Sequence, residues 1–362
     1  MNNTDKSMLF MTIDLDCQVS LFTDYLFTIT DDAGILQHSI YGIPDLSEGY
    51  TTDDNSRALI LAVMLFERFK KRKYLKLIYK YLAFMLYAQN KNGKFKNFMN
   101  FQRKFIEEEG SEDCFGRCLW ALGRTISSSS IPENVKRSCW HMVNMALEHW
   151  SDLKSPRAKA YSLVGLSYLP EKLEVMPHIK KLSMSLVEQY TQCKDGDWHW
   201  FEDYMTYGNA LFPWSLFKAY HILGEDILLK TAKESMDFLG SITLKEEFFK
   251  PIGCNGWLMK GKEPAAFDEQ PLEACETMLS YLDYYGITKD KKYLENAVKC
   301  FNWYQGLNSK GVSLLDQDTG ACYDGLNENG LNLNQGSESL VSYGIALMEL
   351  SNYIKIETIL KK

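Results

Sequence analysis

Six separate segments of the sequence contain most of the side chains that could do chemistry. Carboxylates, arginines and aromatic residues occur together in GYTTDDNSRA, GSEDCFGR, KSPRAKA, DGDWHWFEDYMTYGNA, AAFDEQPLEA and CYDGLNENGLNLNQGSES. Carboxylate and guanidinium groups hydrogen-bond to hydroxyl groups, while aromatic rings stack on the apolar faces of pyranose rings. This combination is typical of a site that binds a carbohydrate.

Cleavage of a glycosidic bond would require two carboxyl groups in such a site. One must be protonated to donate to the leaving oxygen, and the other must be ionised to attack the sugar or activate water. Acidic neighbours and aromatic surroundings are settings that suit a general acid. On this basis four acids are the catalytic candidates, namely Asp54, Asp113, Glu202 and Asp268.

Other residues of these segments, and Trp257 in the close turn FKPIGCNGW, are candidate substrate ligands. They are Asp53, Asn55, Arg57, Arg117, Arg157, Trp198, His199, Trp200, Tyr207, Asn209, Trp257, Glu269, Gln270, Tyr323, Asp324, Gln335 and Glu338. Simpler roles stay open for several of them. The acids near residue 54 stand where helix N-cap residues belong, and each arginine could pair with a nearby acid.

Two histidines, His38 and His199, lie in segments of the same kind. Sugar epimerases move a proton at carbon through histidine side chains, which titrate near neutral pH. A sugar epimerase or isomerase that uses His199 is therefore an alternative to a hydrolase. A protein that binds carbohydrate without catalysis is a third interpretation.

Helices must position these segments, because apolar residues recur at intervals of three and four along most of the chain. The pattern predicts helices near 55–71, 73–90, 112–126, 132–150, 156–168, 174–193, 207–223, 225–241, 269–286, 289–305 and 335–352. A twelfth helix could lie at 17–28 or in the tail after residue 353.

The predicted helices alternate between two kinds. Odd-numbered ones are apolar nearly all round, as in RALILAVMLF, whereas even-numbered ones have a charged face, as in KKYLENAVKCFNWY. This alternation predicts an inner ring wrapped by an outer ring. We therefore expect an all-α protein, a single (α/α)6 toroid of six helical hairpins over residues 1–362, with 1–50 as a lead-in segment. The inner helices would then run parallel, and the six segments would converge at one rim.

Composition narrows the classes of partner. Lys and Arg total 40 against 47 Asp and Glu, a net charge of −7, and no basic run could follow a phosphate backbone, so we expect no nucleic-acid partner. The longest apolar run, residues 58–66, is too short to cross a membrane. Nine irregularly spaced cysteines and the lack of an export signal favour reduced thiols and a cytoplasmic location. Motifs for a cofactor or a metal are absent, so we expect none of either.

The segments GYTTDDNSRALI, SPRAKA, WHWFEDYMTYGNALFP, FKPIGCNGW, FDEQPLEA and CYDGLNENGLNLNQGSES resemble a bacterial family within the six-hairpin glycosidase superfamily. In some members of that family this module follows a glycosyltransferase domain, and those proteins are often labelled glycosyltransferases. We expect no such domain within the 362 residues here, because the toroid fills them. The resemblance runs from about residue 27 to 350. It implies an (α/α)6 fold and action on, or binding of, a carbohydrate, with mannosides among the candidates.

Two positions depart from the family pattern. Gly208 stands where an acid is expected beside Asn209, and Glu269 stands where glutamine is usual. If the acid missing at Gly208 reacts with the sugar or binds it, activity in this chain is in doubt. Taken together, the residues and the resemblance predict a glycoside hydrolase that cleaves an oligosaccharide by carboxylate general acid/base catalysis.

Overall fold

The computed structural model describes residues 15–169 and 174–354. Twelve α-helices account for most of this part of the chain. They are α1 (Leu15–Thr28), α2 (Thr52–Phe69), α3 (Arg72–Ala88), α4 (Glu112–Ser127), α5 (Glu133–Ala146), α6 (Pro156–Ser167), α7 (Met176–Cys193), α8 (Leu211–Leu223), α9 (Asp226–Thr243), α10 (Pro271–Thr288), α11 (Lys291–Asn302) and α12 (Ser337–Leu350).

The even-numbered helices of the structure form a closed inner ring. Each packs against the next, and α12 packs against α2 to close the circle. The odd-numbered helices lie outside as partners of the inner ones, so that α3 packs on α2, α5 on α4 and α1 on α12. The predicted toroid of six hairpins is confirmed. Of the two candidates for the twelfth helix, the one near 17–28 is α1; residues 355–362 of the tail lie outside the described residues.

Burial explains why the sequence shows two kinds of helix. In α2 nearly every residue from Thr52 to Leu65 is buried, because helices surround it. In α11 the buried side chains follow a helical stripe, Tyr293, Ala297, Cys300 and Phe301. Small residues also allow close packing within the inner ring: a Cβ atom at Gly123 of α4 would lie 2.1 Å from the carbonyl oxygen of Gly165 of α6.

Hydroxyl residues, not acids, cap the first three inner helices. The side chains of Thr51, Ser111 and Ser155 accept hydrogen bonds from the amides of residues 54, 114 and 158. The interpretation of the acids near residue 54 as N-caps is therefore wrong. Asp53, Asp54 and Asp113 lie inside the first turn, where their carboxylates are available for other contacts.

Short strands join the segments that precede the inner helices. They form four antiparallel pairs: β1 (Ser39–Ile40) with β2 (Ile43–Pro44), β3 (Tyr50–Thr51) with β4 (Phe98–Met99), β5 (Tyr204–Met205) with β6 (Leu258–Met259), and β7 (Gly325–Asn327) with β8 (Gly330–Asn332). Strands of two or three residues are too short to show an alternating pattern in the sequence. Two of the pairs, β3 with β4 and β5 with β6, link loops that are distant in the chain.

Two boundaries differ from the sequence prediction by four residues, more than any other. The helix expected from 207 begins at Leu211, because Gly208 has a φ of 57° and lies in a loop. The helix expected over 132–150 ends at Ala146 and continues as a 3-10 helix over Leu147–Asp152. Among the described residues, no helix is long and apolar enough to cross a membrane, and no three His, Cys, Asp or Glu residues are grouped so as to hold a metal ion.

Candidate functional site

All six segments meet at one open cavity of about 900 Å³, at the amino-terminal ends of the inner helices. The turn FKPIGCNGW also contributes to it. The lining residues are Asp53, Asn97, Phe98, Glu107, Ser111, Glu112, Asp113, Arg117, Ser155, Tyr207, Cys254, Trp257, Gln270, Leu272 and Glu338. The convergence that the alternation of helices predicts is therefore present.

A smaller cavity of about 310 Å³ continues from the first. The two share five lining residues, Asp53, Asn97, Phe98, Gln270 and Glu338. We call the two cavities together the funnel. The smaller one adds Gln37, His38, Thr51, Asp54, Arg57, Pro271, Asp324, Asn332, Gly336 and Ser339.

The funnel brings together ten of the catalytic and substrate-binding candidates that the sequence singled out. They are Asp53, Asp54, Arg57, Asp113, Arg117, Tyr207, Trp257, Gln270, Asp324 and Glu338. Three inner helices, α2, α4 and α12, carry six of them. The others lie in loops or at loop ends, so both kinds of element shape the site.

Arg57 joins two carboxylates in the lining of the smaller cavity. Its Nη2 donates to Asp54 Oδ1 at 2.9 Å, and its Nη1 lies 2.7 Å from Glu338 Oε2. Burial raises the pKa of Asp54, against the opposing effect of Arg57. The pKa of Glu338 is lowered, because the charges of Arg57 and Arg117 outweigh the effect of its partial burial. Arg57 thus joins one carboxyl group whose pKa is raised to one whose pKa is lowered.

Asp53 lies between Asn97 and Arg117. Its Oδ2 accepts a hydrogen bond from Asn97 Nδ2 at 3.1 Å and lies 3.2 Å from Arg117 Nη1. Its Oδ1 is buried and accepts no hydrogen bond from any described residue. The Arg117 guanidinium in turn lies over the ring of Tyr161, 4.7 Å from its centroid. Asp53 therefore retains an acceptor that a ligand hydroxyl could satisfy.

Asp113 is held by hydroxyl groups rather than by a cation. Ser155 Oγ donates to its Oδ1, and the Tyr207 hydroxyl donates to its Oδ2, both at 2.6 Å. No ion pair joins it to a basic residue within the described part of the chain. Both carboxylate oxygens thus act as acceptors on the wall of the larger cavity.

Two aromatic side chains lie at the mouth of the funnel and remain exposed. Trp257 is 42% exposed and Phe98 is 41% exposed, and both line the larger cavity. Trp257 follows a turn closed by a hydrogen bond from its amide to Gly253 O. Phe98 was not foreseen, because only the pairing of β3 with β4 brings it beside the start of α2. Each ring could serve as a platform for a pyranose ring.

Glu202 and Arg157 lie outside the funnel lining. They form a buried ion pair, with Arg157 Nη1 2.7 Å from Glu202 Oε2. Asp268 lines neither cavity, and its backbone carbonyl accepts a hydrogen bond from Cys254. Two of the four catalytic candidates, Asp54 and Asp113, thus reach the funnel and two do not. Arg57, Arg117 and Arg157 each pair with an acid, which is the simpler role that the sequence left open for them.

Five polar candidates are instead part of the scaffold. Asn55 accepts from the amide of Ile35, and Glu269 is fully buried, accepting from Trp303 Nε1 at 2.7 Å. Burial raises the pKa of Glu269. Asn209, Tyr323 and Gln335 donate hydrogen bonds to acids outside the funnel lining, Glu273 in the first case and Asp316 in the other two.

The WHW motif also lies away from the funnel. The Trp198 ring packs on Phe238, and Trp200 is fully buried against Phe212. His199 faces an outer helix, with its Nδ1 3.3 Å from the Tyr190 hydroxyl and 4.0 Å from a carboxylate oxygen of Glu234. Of the six histidines in the sequence, His38 alone lines the funnel.

Two glutamates of α10 escaped sequence reasoning. Glu273 accepts hydrogen bonds from the amide of Gly208 and from Asn209 Nδ2. Glu276 accepts from the Tyr161 hydroxyl at 2.6 Å, while its Oε2 is buried and has no hydrogen-bond partner among the described residues. Burial raises the pKa of Glu276 to about 7. The only sequence feature that marks them is a pair of acids three positions apart, EACE, in an otherwise apolar inner helix.

Gly208 lies directly against this pair. A Cβ atom there would be 3.2 Å from Glu276 Oε2 and 3.6 Å from the Tyr161 hydroxyl oxygen. An acidic side chain at this position would thus add a carboxylate next to Glu276. The left-handed φ of 57° makes glycine the least strained residue at this position.

Comparison with known proteins relies on structure alone. No family model matches the chain, and no curated protein matches it in sequence. The crystal structure of a D-mannose isomerase is 12% identical, with 98% of this chain and 100% of that chain covered at a TM-score of 0.73. A cellobiose 2-epimerase from Bacillus thermoamylovorans is 11% identical, with 92% and 99% covered at a TM-score of 0.71. The chain has the six-hairpin (α/α)6 toroid fold.

A further match to this toroid is an α-mannanase from Bacteroides thetaiotaomicron. It is 12% identical, with 93% of this chain and 96% of that chain covered at a TM-score of 0.67. The fold expected from the resemblance is confirmed. At such low identity, likeness between toroids assigns a fold to the chain and no residue role.

Proposed function

We propose that this six-hairpin toroid binds an oligosaccharide in the funnel and hydrolyses a glycosidic bond there. One observation carries the proposal: a single open cavity has carboxylates on its wall and exposed aromatic rings at its mouth. Asp53, Asp113 and Glu338 supply the first, and Trp257 and Phe98 supply the second. The fold relatives, which include an α-mannanase, support a carbohydrate as the ligand, with mannosides among the first candidates.

The acid/base roles follow from the surroundings of each carboxyl group. Burial raises the pKa of Asp54 against the opposing effect of Arg57, and a raised pKa suits a carboxyl group to donate a proton to the leaving glycosidic oxygen. Glu338 and Asp113 are the candidates for the ionised partner, since the first faces Arg57 and the second accepts two hydroxyl hydrogen bonds. The ionised group attacks the anomeric carbon or takes a proton from the water that attacks it.

The overall reaction consumes one water molecule. The bond between the anomeric carbon and the bridging oxygen breaks, the bridging oxygen leaves with the proton of the acid, and water supplies the new hydroxyl group. The acid is reprotonated from the same water. One glycoside becomes two products, one of which has a new reducing end.

The test is incubation with α- and β-linked manno- and gluco-oligosaccharides, with reducing ends measured over time. We expect turnover by the wild type and a loss of about a hundredfold or more in kcat for Asp113→Asn, as for removal of a general acid or base. Asp237→Asn, on the exposed face of the outer helix α9, is the matched control. Absence of turnover by the wild type on every glycan would overturn the hydrolase proposal.

A second candidate, a sugar epimerase or isomerase, is favoured by one observation. His38 lines the smaller cavity together with Asp324 and Glu338, and could move a proton at a sugar carbon. His199 does not share this position. The distinguishing test is incubation of free reducing sugars in heavy water: incorporation of deuterium at carbon, lost in His38→Asn, would favour this candidate over hydrolysis.

A further inference from the structure

Arg157 makes three hydrogen bonds from one buried guanidinium group. Its Nε donates to the carbonyl oxygen of Tyr207, its Nη1 to Glu202 Oε2 and its Nη2 to Thr206 Oγ1, each at 2.7 Å. The group also lies 4.9 Å from the centroid of the Tyr207 ring. Arg157 thus contacts the backbone and the ring face of Tyr207 and the hydroxyl of Thr206, all within one short segment.

The same segment is held from its other side by α10. Glu273 accepts hydrogen bonds from the amide of Gly208 and, at 3.0 Å, from Asn209 Nδ2. Arg157 and Glu273 are both at least 95% buried. Contacts to two inner helices, α6 and α10, therefore hold residues 206–209 in place beside the funnel.

The side chain presented by this fixed segment is Tyr207. Its hydroxyl donates to Asp113 Oδ2 at 2.6 Å, on the wall of the larger cavity. Burial and the charge of Asp113 both raise the pKa of Tyr207, which keeps the phenol a hydrogen-bond donor. A carboxylate with no cationic partner depends on such donors for its orientation.

We propose that Arg157 is a positioning residue that acts through Tyr207 on Asp113. The proposal rests on the function proposed above, in which Asp113 belongs to the reacting pair. Only the planar fork of arginine can donate in three fixed directions, whereas lysine has one nitrogen on a flexible stem. Arg157→Lys keeps the positive charge beside Glu202 but loses the hydrogen bond to the Tyr207 carbonyl oxygen.

The test compares Arg157→Lys, Tyr207→Phe and the double variant, after thermal unfolding has shown that each is folded. We expect both single variants to lower kcat by about tenfold, the effect of one charge-assisted hydrogen bond, and to leave KM within about twofold. The double variant should be no slower than Tyr207→Phe, because both changes break the same path. The control is Arg124→Lys, another ion-paired inner-helix arginine, which lies at the opposite end of the toroid beside Glu67. It should retain the wild-type kcat.

Additive losses in the double variant, or a loss of kcat in Arg157→Lys with none in Tyr207→Phe, would overturn the proposal. A measurement that needs no activity separates it from the proposed function. With 3-fluorotyrosine incorporated and the Tyr207 resonance assigned by Tyr207→Phe, Asp113→Asn should shift that resonance in the wild-type background. It should shift it far less in the Arg157→Lys background. An equal shift in both backgrounds would show that Arg157 does not hold Tyr207 on Asp113.

Discussion

Arg57 of α2 lies 2.7 Å from Glu338 of α12, and this contact joins the first inner helix to the last. The ring of inner helices is therefore closed at the funnel by an ion pair as well as by apolar packing. The Arg57 side chain is buried, whereas the Glu338 side chain is 41% exposed. The two partners should consequently differ in what their removal costs.

We expect Arg57→Met to lower the free energy of unfolding by about 3 kcal/mol, since it leaves Asp54 buried without its cation. Glu338→Gln should cost about 1 kcal/mol or less, because water reaches its side chain and Arg57 keeps Asp54. Urea unfolding at pH 7 measures both. Equal losses for the two variants would contradict the view that Asp54 is the partner that most needs the charge.

Glu276 should make stability depend on pH. Its pKa is raised from 4.5 to about 7 in the folded protein, so the folded state holds a proton that the unfolded state has lost between these values. Stability should therefore fall as pH rises from 4.5 to 7, by about 3 kcal/mol from this group, and level off above.

The measurement is urea unfolding of the wild type and Glu276→Gln between pH 4 and 8. Glutamine imitates the protonated form, so the difference between the two curves should grow with pH through this window. Glu295→Gln on the outer helix α11 is the control and should follow the wild type. A constant difference between wild type and Glu276→Gln would rule out the titration of Glu276 in this range.

Gly208→Asp should destabilise the protein more than Gly208→Asn does. Both side chains tolerate a left-handed backbone, but aspartate adds a charge beside Glu276 Oε2. We expect a difference of about 1 to 2 kcal/mol at pH 8 that shrinks at pH 5, where Glu276 is protonated. Thermal unfolding at the two pH values tests this, and an unchanged difference would contradict it.

Trp257→Ala should weaken glycan binding with little effect on stability. The ring is 42% exposed at the funnel mouth, so its loss removes a stacking surface and leaves the core intact. We expect the Kd to rise by about tenfold, equivalent to about 1.4 kcal/mol. Titration calorimetry with the best glycan checks this. Leu86→Ala, similarly exposed on the outer helix α3, should leave the Kd unchanged.

The alternation of helices determined the fold and the place of the site. A helix that is apolar all round must be surrounded by other helices, and a helix with one apolar face must lie outside. The two rings therefore follow from the pattern itself. Parallel inner helices then bring their starting segments to one rim. This much did not depend on the resemblance to known glycosidases.

Only the tertiary structure decided which residues of each segment face the funnel. Adjacent residues differ in fate: Glu269 is buried against Trp303, whereas Gln270 lines both cavities. The direction of a side chain turns with every residue, and in loops it depends on contacts such as the pairing of Thr51 with Phe98, 47 positions away. Those contacts form only when the ring closes. The sequence by itself determined where acids, arginines and aromatic rings gather, and the closed toroid determined which of them share one space.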